Sequence, residues 1–526
     1  MKKNIFKLLL ILCVVFAVSC QHTPEPTRTK PDLSHTDFIY LKDKHFEIRN
    51  EKFFPVMLNY IVSSRNINGE FVISPHIDYE EVGVFESHTK EEIAHQLRGH
   101  FQLIKEMGFN IIRMCFDRIN KNEKDYYYYA DGKEFFINTD YNQILEGLET
   151  FTNIANEKGL RIMLLLKRPW EDKSLEDFAI KVFEKFKDNP TIFAYDLMNE
   201  PLYFDYEQRN KKEVFQIVSH WEKMMRKHAP NQLFTIGLSE PIEVNKWDPA
   251  LIPVDFVAFH TYHPLRAKSE IYWFSTYGGK PWMIGETALP ADNDSISYDD
   301  QTSYMREVYQ YVVDCGGAGF GWWDFQEAVH GSFEAQFTGI LNHEDTTRTQ
   351  DGNYTILGTV KPAAQILPEL ADYKPKEKAI PINYYNMMGY NNYVIKGQIV
   401  NKKTKQPIEG AVIRSWNKYW SIGQNTYSDE NGEFLLYSND ESVHFQISAP
   451  NMTSIRFDKN LRYKKIVDGN YDRNYLPDQY LEYHSICYKP YLKDAPVSVF
   501  DFDESKFNQA KFKGDLGKLY LMPINK

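Results

Sequence analysis

Between residues 55 and 323 the chain repeats one pattern, a short apolar run followed by a longer segment with helical spacing. The runs are PVMLNY (55–60), NIIRMCF (110–116), LRIMLLL (160–166), IFAYDLMN (192–199), LFTIGL (233–238), DFVAFH (255–260), PWMIGE (281–286) and GAGFGWW (317–323). Runs apolar along their whole length suit strands covered on both faces. Segments such as EEIAHQLRGHFQLIKEMG, YNQILEGLETFTNIANEKG and KEVFQIVSHWEKMMRKH supply helices for that cover. Two of them end at glycine, Gly108 and Gly159, as helix C-termini commonly do. Strands separated by helices pair in parallel through crossovers. Eight such strands favour a closed (β/α)8 barrel over an open doubly wound sheet, and no glycine-rich phosphate turn follows the first strands. The expected fold class is α/β, a TIM barrel over residues 37–372. DFIYLKDKHFEIRNEKFF forms a hairpin ahead of it, turning at RNEK, and KPAAQILPEL (361–370) is its last helix.

The pattern changes beyond residue 372. Residues 373–391 read as a linker, and YVIKGQIVNKKTKQPIEGAVIRSW and TYSDENGEFLLYS then read as short alternating strands with Asn-Gly and proline-bearing turns. A smaller all-β sandwich domain is expected over 392–526. Its T-x-x-P-I-x-G-A and S-D-x-N-G-x-F patterns resemble carboxypeptidase-regulatory-like, transthyretin-type modules. Trp416 and, in KYWS, Trp420 offer aromatic surface to a glycan or core to the sandwich.

At the N-terminus, Lys2, Lys3 and Lys7 precede LLLILCVVFAV and then Ser-Cys, the layout of a secretory signal over residues 1–20. The ending AVSC resembles a bacterial lipobox, which implies lipidation of Cys20, a tether over 21–36 and a membrane-anchored place in the cell envelope, the outer membrane of a Gram-negative bacterium. Setting aside Cys13 and Cys20, the remaining Cys115, Cys315 and Cys487 are too sparse for a disulfide framework or a metal site. The net charge of −11, with lysines scattered, excludes the basic stripe of a nucleic-acid protein.

In a (β/α)8 barrel the C-terminal strand ends form the mouth. The second strand carries Arg113 there, and the fourth ends in Asn199-Glu200 before Pro201. The sixth ends in His260 with Tyr262 just beyond, the seventh in Glu286, and the eighth in Trp322-Trp323. Each alone has a plainer role, as a cap, an ion pair or core. Together they make two carboxylates, a cation, two hydrogen-bonding groups and an aromatic face. Cleaving a glycosidic bond calls for such a set: one carboxyl kept protonated for the leaving oxygen, one kept ionised to attack the anomeric carbon. An arginine or tyrosine beside the nucleophile holds it charged. No metal or organic cofactor is needed.

N-I-I-R, D-L-M-N-E-P, F-H-T-Y-H-P, M-I-G-E-T and G-W-W-D-F, spread over residues from about 38 to 370, resemble the clan A glycoside hydrolases, most closely glycoside hydrolase family 5. The resemblance implies a retaining hydrolase of β-glycosidic bonds in a polysaccharide or its oligosaccharides. It implies Glu200 as acid/base and Glu286 as nucleophile, with Arg113, Asn199, His260 and Tyr262 around the sugar. Trp323, or alternatively Trp322, would stack on it. Many cellulase members carry a histidine at the end of the third strand; here LLLKRPWED places Lys167, Arg168 and Trp170 there, which fits mannanase-like members better. The segment after strand eight, residues 326–358, is expected to shape the cleft. The alternative is a catalytically silent glycan-binding lipoprotein on the same scaffold, which would bind polysaccharide and release no sugar.

Overall fold

The computed structural model describes residues 32–67, 70–75, 89–115, 128–130, 133–135, 141–166, 170, 173–205, 207, 209–328, 333–381, 385, 389–420, 423–459, 465–466 and 504–524. The expected signal, Cys20, residues 21–31 of the tether, Lys167, Arg168 and Cys487 lie outside them. No helix among the described residues is long and apolar enough to cross a membrane. Cys315 is a free thiol.

Each apolar run becomes a strand: β1 Val56–Ile67, β2 Ile111–Cys115, β3 Arg161–Leu165, β4 Ile192–Asn199, β5 Leu233–Leu238, β6 Val257–His260, β7 Trp282–Glu286 and β8 Phe320–Trp322. They pair in parallel in the order β7-β6-β5-β4-β3-β2-β1-β8. The ring closes where Ala318 N–H donates to Trp282 O (2.8 Å) and Ile284 N–H to Gly319 O (3.2 Å), joining β8 to β7. This close seam needs glycine at Gly321, where a Cβ would lie 2.5 Å from Gly285 O. β1 is longer than its apolar run, because beyond the barrel it pairs antiparallel with Glu70–Pro75.

The main helices are α1 Lys90–Glu106, α2 Tyr141–Glu157, α3 Lys173–Phe186, α4 Lys211–His228, α5 Pro264–Tyr277 and α6 Tyr298–Asp314. Capping boxes start three of them, Thr89 with Glu92, Asn210 with Glu213 and Ser297 with Asp300. α1 buries Ile93, Leu97, Phe101 and Ile104, one stripe at helical spacing, against the barrel. Gly108 and Gly159 follow helix ends at φ +97° and +71°. The expected last helix is instead two single turns, Pro362–Gln365 and Leu367–Leu370. Pro368 lacks the N–H that a continuous helix would use.

The N-terminal strands Tyr40–Lys42, His45–Ile48 and Glu51–Phe53 form a meander across the barrel floor. It turns at Arg49-Asn50 as expected, with one further strand before it. Phe46 inserts edge-on against Phe193 (5.2 Å) and Phe256 (5.1 Å). It joins Met57, Ile111, Met163, Ala258 and Met283 in a lower core that fills the barrel. Burying Phe46 contributes about 2 kcal/mol.

The C-terminal region is a two-sheet sandwich. Strands β9 Tyr393–Asn401, β12 Glu433–Ser438 and β15 Phe512–Leu521 form one sheet. Strands β10 Val412–Trp416, β11 Gly423–Tyr427, β13 His444–Ser448 and β14 Ile455–Asp458 form the other, continued by Lys465–Ile466. Ile395, Ile399, Phe434 and Leu519 meet Ile413, Phe445, Ile447 and Phe457 between them. Trp416 is fully buried, and the Trp420 ring is covered by His444 at 3.8 Å and Arg456 at 4.1 Å, so neither offers a free aromatic face. The sandwich is docked on the barrel: Trp273 Nε1–H donates to Gly410 O (2.9 Å), and Ser269 Oγ–H to Tyr427 Oη (3.1 Å). Val412 and Tyr427 belong to the core that surrounds the barrel.

The hairpin Thr346–Arg348/Thr355–Leu357, within the segment expected to shape the cleft, lies along the outside of α1. At its tip Gln350 N–H donates to Glu106 at the C-terminal end of α1 (3.0 Å), toward the barrel floor. The described hairpin thus runs away from the mouth.

Candidate active site

β4 delivers Glu200 by an irregular ending. Its register against β5 shifts between Asp196 and Asn199, so these two side chains, three apart, both reach Arg113. Glu200 N–H still donates to Gly237 O (2.7 Å), and then Glu200 turns into the left-handed region (φ +42°). That conformation costs a non-glycine residue about 1 kcal/mol or more. Pro201, which has no N–H to donate, begins the turn Pro201–Phe204.

Arg113 is the hub. Its Nε and Nη2 donate to Asp196 Oδ2 (2.9 and 2.8 Å), and Nη2 also to Asn199 Oδ1 (2.9 Å). Its Nη1 donates to Asn59 Oδ1 (3.0 Å) and Glu286 Oε1 (2.5 Å). Asn59 on β1 fixes its own amide by donating to Gly285 O and Trp322 O. The other oxygen of Glu286 accepts from Tyr262 Oη. Arg113, Asp196 and Glu286 are all nearly fully buried, so this charge cluster holds together only because each member is paired.

His260 lies under both carboxylates, its Nδ1 2.9 Å from Glu200 Oε1 and 3.4 Å from Glu286 Oε1. Its ring fills the space that side chains at Gly237 and Gly285 would need, where a Cβ would sit 2.8 and 2.9 Å from the imidazole. Burial pushes the imidazole down to about 4, with Arg113 adding to the fall and Glu286 opposing it. His260 is therefore neutral at pH 7. Its Nε2 is buried without a partner, so we assign the proton to Nδ1, which spares an orphaned donor.

The two carboxyl groups stand in different surroundings. Burial pushes Glu200 up to about 7, Arg113 pulls it down and Glu240 adds to the rise. Glu286 has a guanidinium donating to one oxygen and a phenol donating to the other. Burial raises the Tyr262 hydroxyl well above its ordinary value, so it stays a donor. A Glu200 oxygen, a Glu286 oxygen and a His260 ring nitrogen lie within 4.8 Å of one another. A cation could span such a trio, but the guanidinium already supplies the positive charge and Glu286 has donors on both oxygens. The donor set fits a carboxylate pair better.

Arg113, Asn199, Glu200, His260, Tyr262 and Glu286 are thus brought together. Trp323, half-buried, follows β8 at the same end of the barrel, its N–H donating to Thr287 O (3.0 Å) just past Glu286. Trp322 is not at the mouth: it is fully buried against Tyr304 and Phe320, and its Nε1–H donates to Thr338 O (3.2 Å). Adjacent strand residues point to opposite faces, and here the outward one is Trp322. Trp170, also expected to meet the substrate, is half-buried beside Trp247 (5.7 Å between rings). Asn59 and Asp196 are in the cluster but were not singled out from sequence. Each is the polar residue within an apolar run.

No curated protein sequence matches the chain. Among solved structures, an exo-beta-1,4-mannosidase from Opitutaceae bacterium strain TAV5 is 16% identical with a TM-score of 0.44, over 62% of this chain. The chain spans only 60% of that protein's length. An endo-1,4-beta-mannanase from Rhizomucor miehei is 14% identical (TM-score 0.42, 63% of this chain, 99% of that one). A beta-glucosidase from Thermotoga maritima is 11% identical (TM-score 0.40, 62% and 98%). Residues 78–328, which carry Arg113, Asn199, Glu200, His260, Tyr262, Glu286 and Trp323, match the sequence profile of Cellulase (glycosyl hydrolase family 5), and this stretch of the chain is a glycosyl hydrolase family 5 domain.

Proposed function

We propose that the barrel hydrolyses β-glycosidic bonds of a polysaccharide or its oligosaccharides by double displacement with net retention. In the first step a Glu286 oxygen bonds to the anomeric carbon, the glycosidic C–O bond breaks, and Glu200 gives its proton to the departing oxygen. In the second, Glu200 takes a proton from water, the water oxygen bonds to the anomeric carbon and Glu286 leaves. The observation that carries this reading is the pair of carboxyl oxygens within 4.8 Å of each other in one mouth. That spacing supports direct attack, since an intervening water needs roughly 6.5–9.5 Å between the groups. Their surroundings support the division of labour, with Glu200 held up to about 7 and Glu286 faced by two donors. Asn199 and Trp323 would meet the sugar, one by hydrogen bond and one by stacking.

Sugar release from mannan, β-glucan, xylan and xyloglucan, with the anomer of the first product read by NMR, tests the reading. Retention with the wild type and loss of turnover in a folded Glu286→Gln variant are expected. An inverted product, or near-normal activity in that variant, would remove Glu286 from the mechanism. We also propose that Cys20 carries a lipid anchor, on the AVSC sequence alone. Cys20→Ala should then move the protein from the membrane fraction to the soluble one.

A further inference from the structure

Behind Glu200 lies a second group of acidic residues that the hydrolysis just described does not use. Glu240 and Glu243 follow β5, on the segment that packs beneath the Pro201–Phe204 turn. Glu240 is 5% exposed. Its Oε1 accepts from Tyr203 Oη (2.8 Å), and its Oε2 from Arg266 Nη1 on α5 (3.1 Å). Tyr203 belongs to the turn that begins at Glu200, its N–H donating to Glu200 O (2.9 Å). Glu243 instead accepts from both Ser239 N–H (2.7 Å) and Ser239 Oγ–H (2.8 Å).

We propose that Glu240 is a positioning residue for Glu200: clamped between Tyr203 and Arg266, it holds the turn that carries the acid and sets a second negative charge behind it. This rests on Glu200 being the acid. The geometry assigns the two jobs to one side chain, because Tyr203 ties Glu240 to the turn while Arg266 pairs with its other oxygen. Glu243 differs. Burial pushes it up to about 8, so at neutral pH it is mostly protonated. Among the described residues, the other charged or titratable groups around Glu200 and Glu240 include Arg113 on β2, Asp196 on β4, His260 on β6, Tyr262 just beyond β6, Glu286 on β7, Tyr203 on the turn, and Arg266 and Glu270 on α5, these last two 3.7 Å apart. Of these Arg113 pulls the Glu200 proton off, whereas Glu240 helps to hold it on.

The sign follows. Removing the charge of Glu240 lets Glu200 lose its proton at lower pH, so the alkaline limb of kcat/KM moves toward acid. For Glu240→Gln the expected move is about half a unit to one unit, a roughly three- to tenfold loss above the limb. The loss should be seen on an unactivated oligosaccharide and be much smaller on an aryl glycoside with a good leaving group, which needs little acid help. Glu243→Gln replaces a mostly protonated carboxyl by a neutral amide and should move the limb far less than Glu240→Gln does, although it disturbs the same segment. Arg266→Gln leaves the buried Glu240 without its cation, so that it takes up a proton and loses its charge, and should move the limb toward acid as well. Equal limbs in wild type and Glu240→Gln would overturn the proposal, as would equal shifts in Glu240→Gln and Glu243→Gln. If Glu240→Gln is poorly folded, the acid shift of Arg266→Gln carries the test, and its absence overturns the proposal too. Glu200→Ala separates the two readings: if it leaves the limb unchanged the acid is elsewhere and both fall, and if it removes the limb while Glu240→Gln does not move it, only the present inference falls.

Discussion

The sandwich and the barrel should unfold together, and Lys211 is the place to test it. Lys211 heads α4 and is 3% exposed. Its Nζ donates to Asp248 Oδ2 (2.8 Å), Ala449 O (3.1 Å) and Met452 O (2.7 Å), the last two from the sandwich. Asp248, 1% exposed, also accepts from Asn451 N–H (2.8 Å) and Ala250 N–H (3.0 Å). Lys211→Met keeps most of the stem's packing but leaves Asp248 a buried charge without its cation. Breaking such a pair costs about 3–5 kcal/mol. With a urea slope of roughly 3 kcal/mol/M or more, the midpoint falls by about 1 M. Adding Asp248→Asn removes the stranded charge and should recover most of the loss. Urea titrations followed by tryptophan fluorescence and by activity should show both probes falling together. A midpoint shift below about 0.2 M in Lys211→Met would refute the reasoning. So would a chain lacking residues 391–526 that unfolds at the wild-type midpoint, since Val412 and Tyr427 complete the barrel's outer core.

Three further outcomes are expected. Gly237→Ala places a Cβ 2.8 Å from the His260 ring and near Arg113, so it should cost about 1–3 kcal/mol of stability and lower kcat by at least tenfold, read by melting and steady-state kinetics. Gly285→Ala should act in the same direction through the other face of the ring. His100, which shares a hydrogen bond with Tyr60 Oη (2.8 Å), is pushed down to about 3 by burial. Its folded value lies below the unfolded one, so the stability it contributes is present above about pH 6.5 and lost as pH falls toward 3. Between pH 6.5 and 4.5 this loss is on the order of 2–3 kcal/mol, and His100→Gln should lack that part of the slope; equal slopes would show the imidazole is not the cause.

The barrel could be read from sequence because its strands are apolar on both faces and its helices are not. The site residues at the strand ends could be read because polarity returns abruptly there, as at Asn199-Glu200 and Glu286. Asn59 and Asp196 escaped because a lone polar residue inside an apolar run carries no mark of what it faces. The irregular end of β4, which puts Asp196 and Asn199 on the same arginine, depends on pairing with β5 and has no local signature. The side on which Trp322 and Trp323 each fall was open for the same reason. Glu240 and Glu243 looked like ordinary acidic residues after a strand. Only the packing of a distant helix, which brings Arg266, shows one of them to be a paired ion.

The double grip on Glu286 bears on the timing of the proposed reaction. A guanidinium and a phenol that stabilise a free carboxylate resist its conversion to an ester, and they assist its return when the ester breaks. They therefore slow formation of the covalent sugar intermediate relative to its hydrolysis, and keep little enzyme waiting in the acylal form. Loosening the phenol alone should reverse that balance, so that the second half of the cycle becomes the slow one.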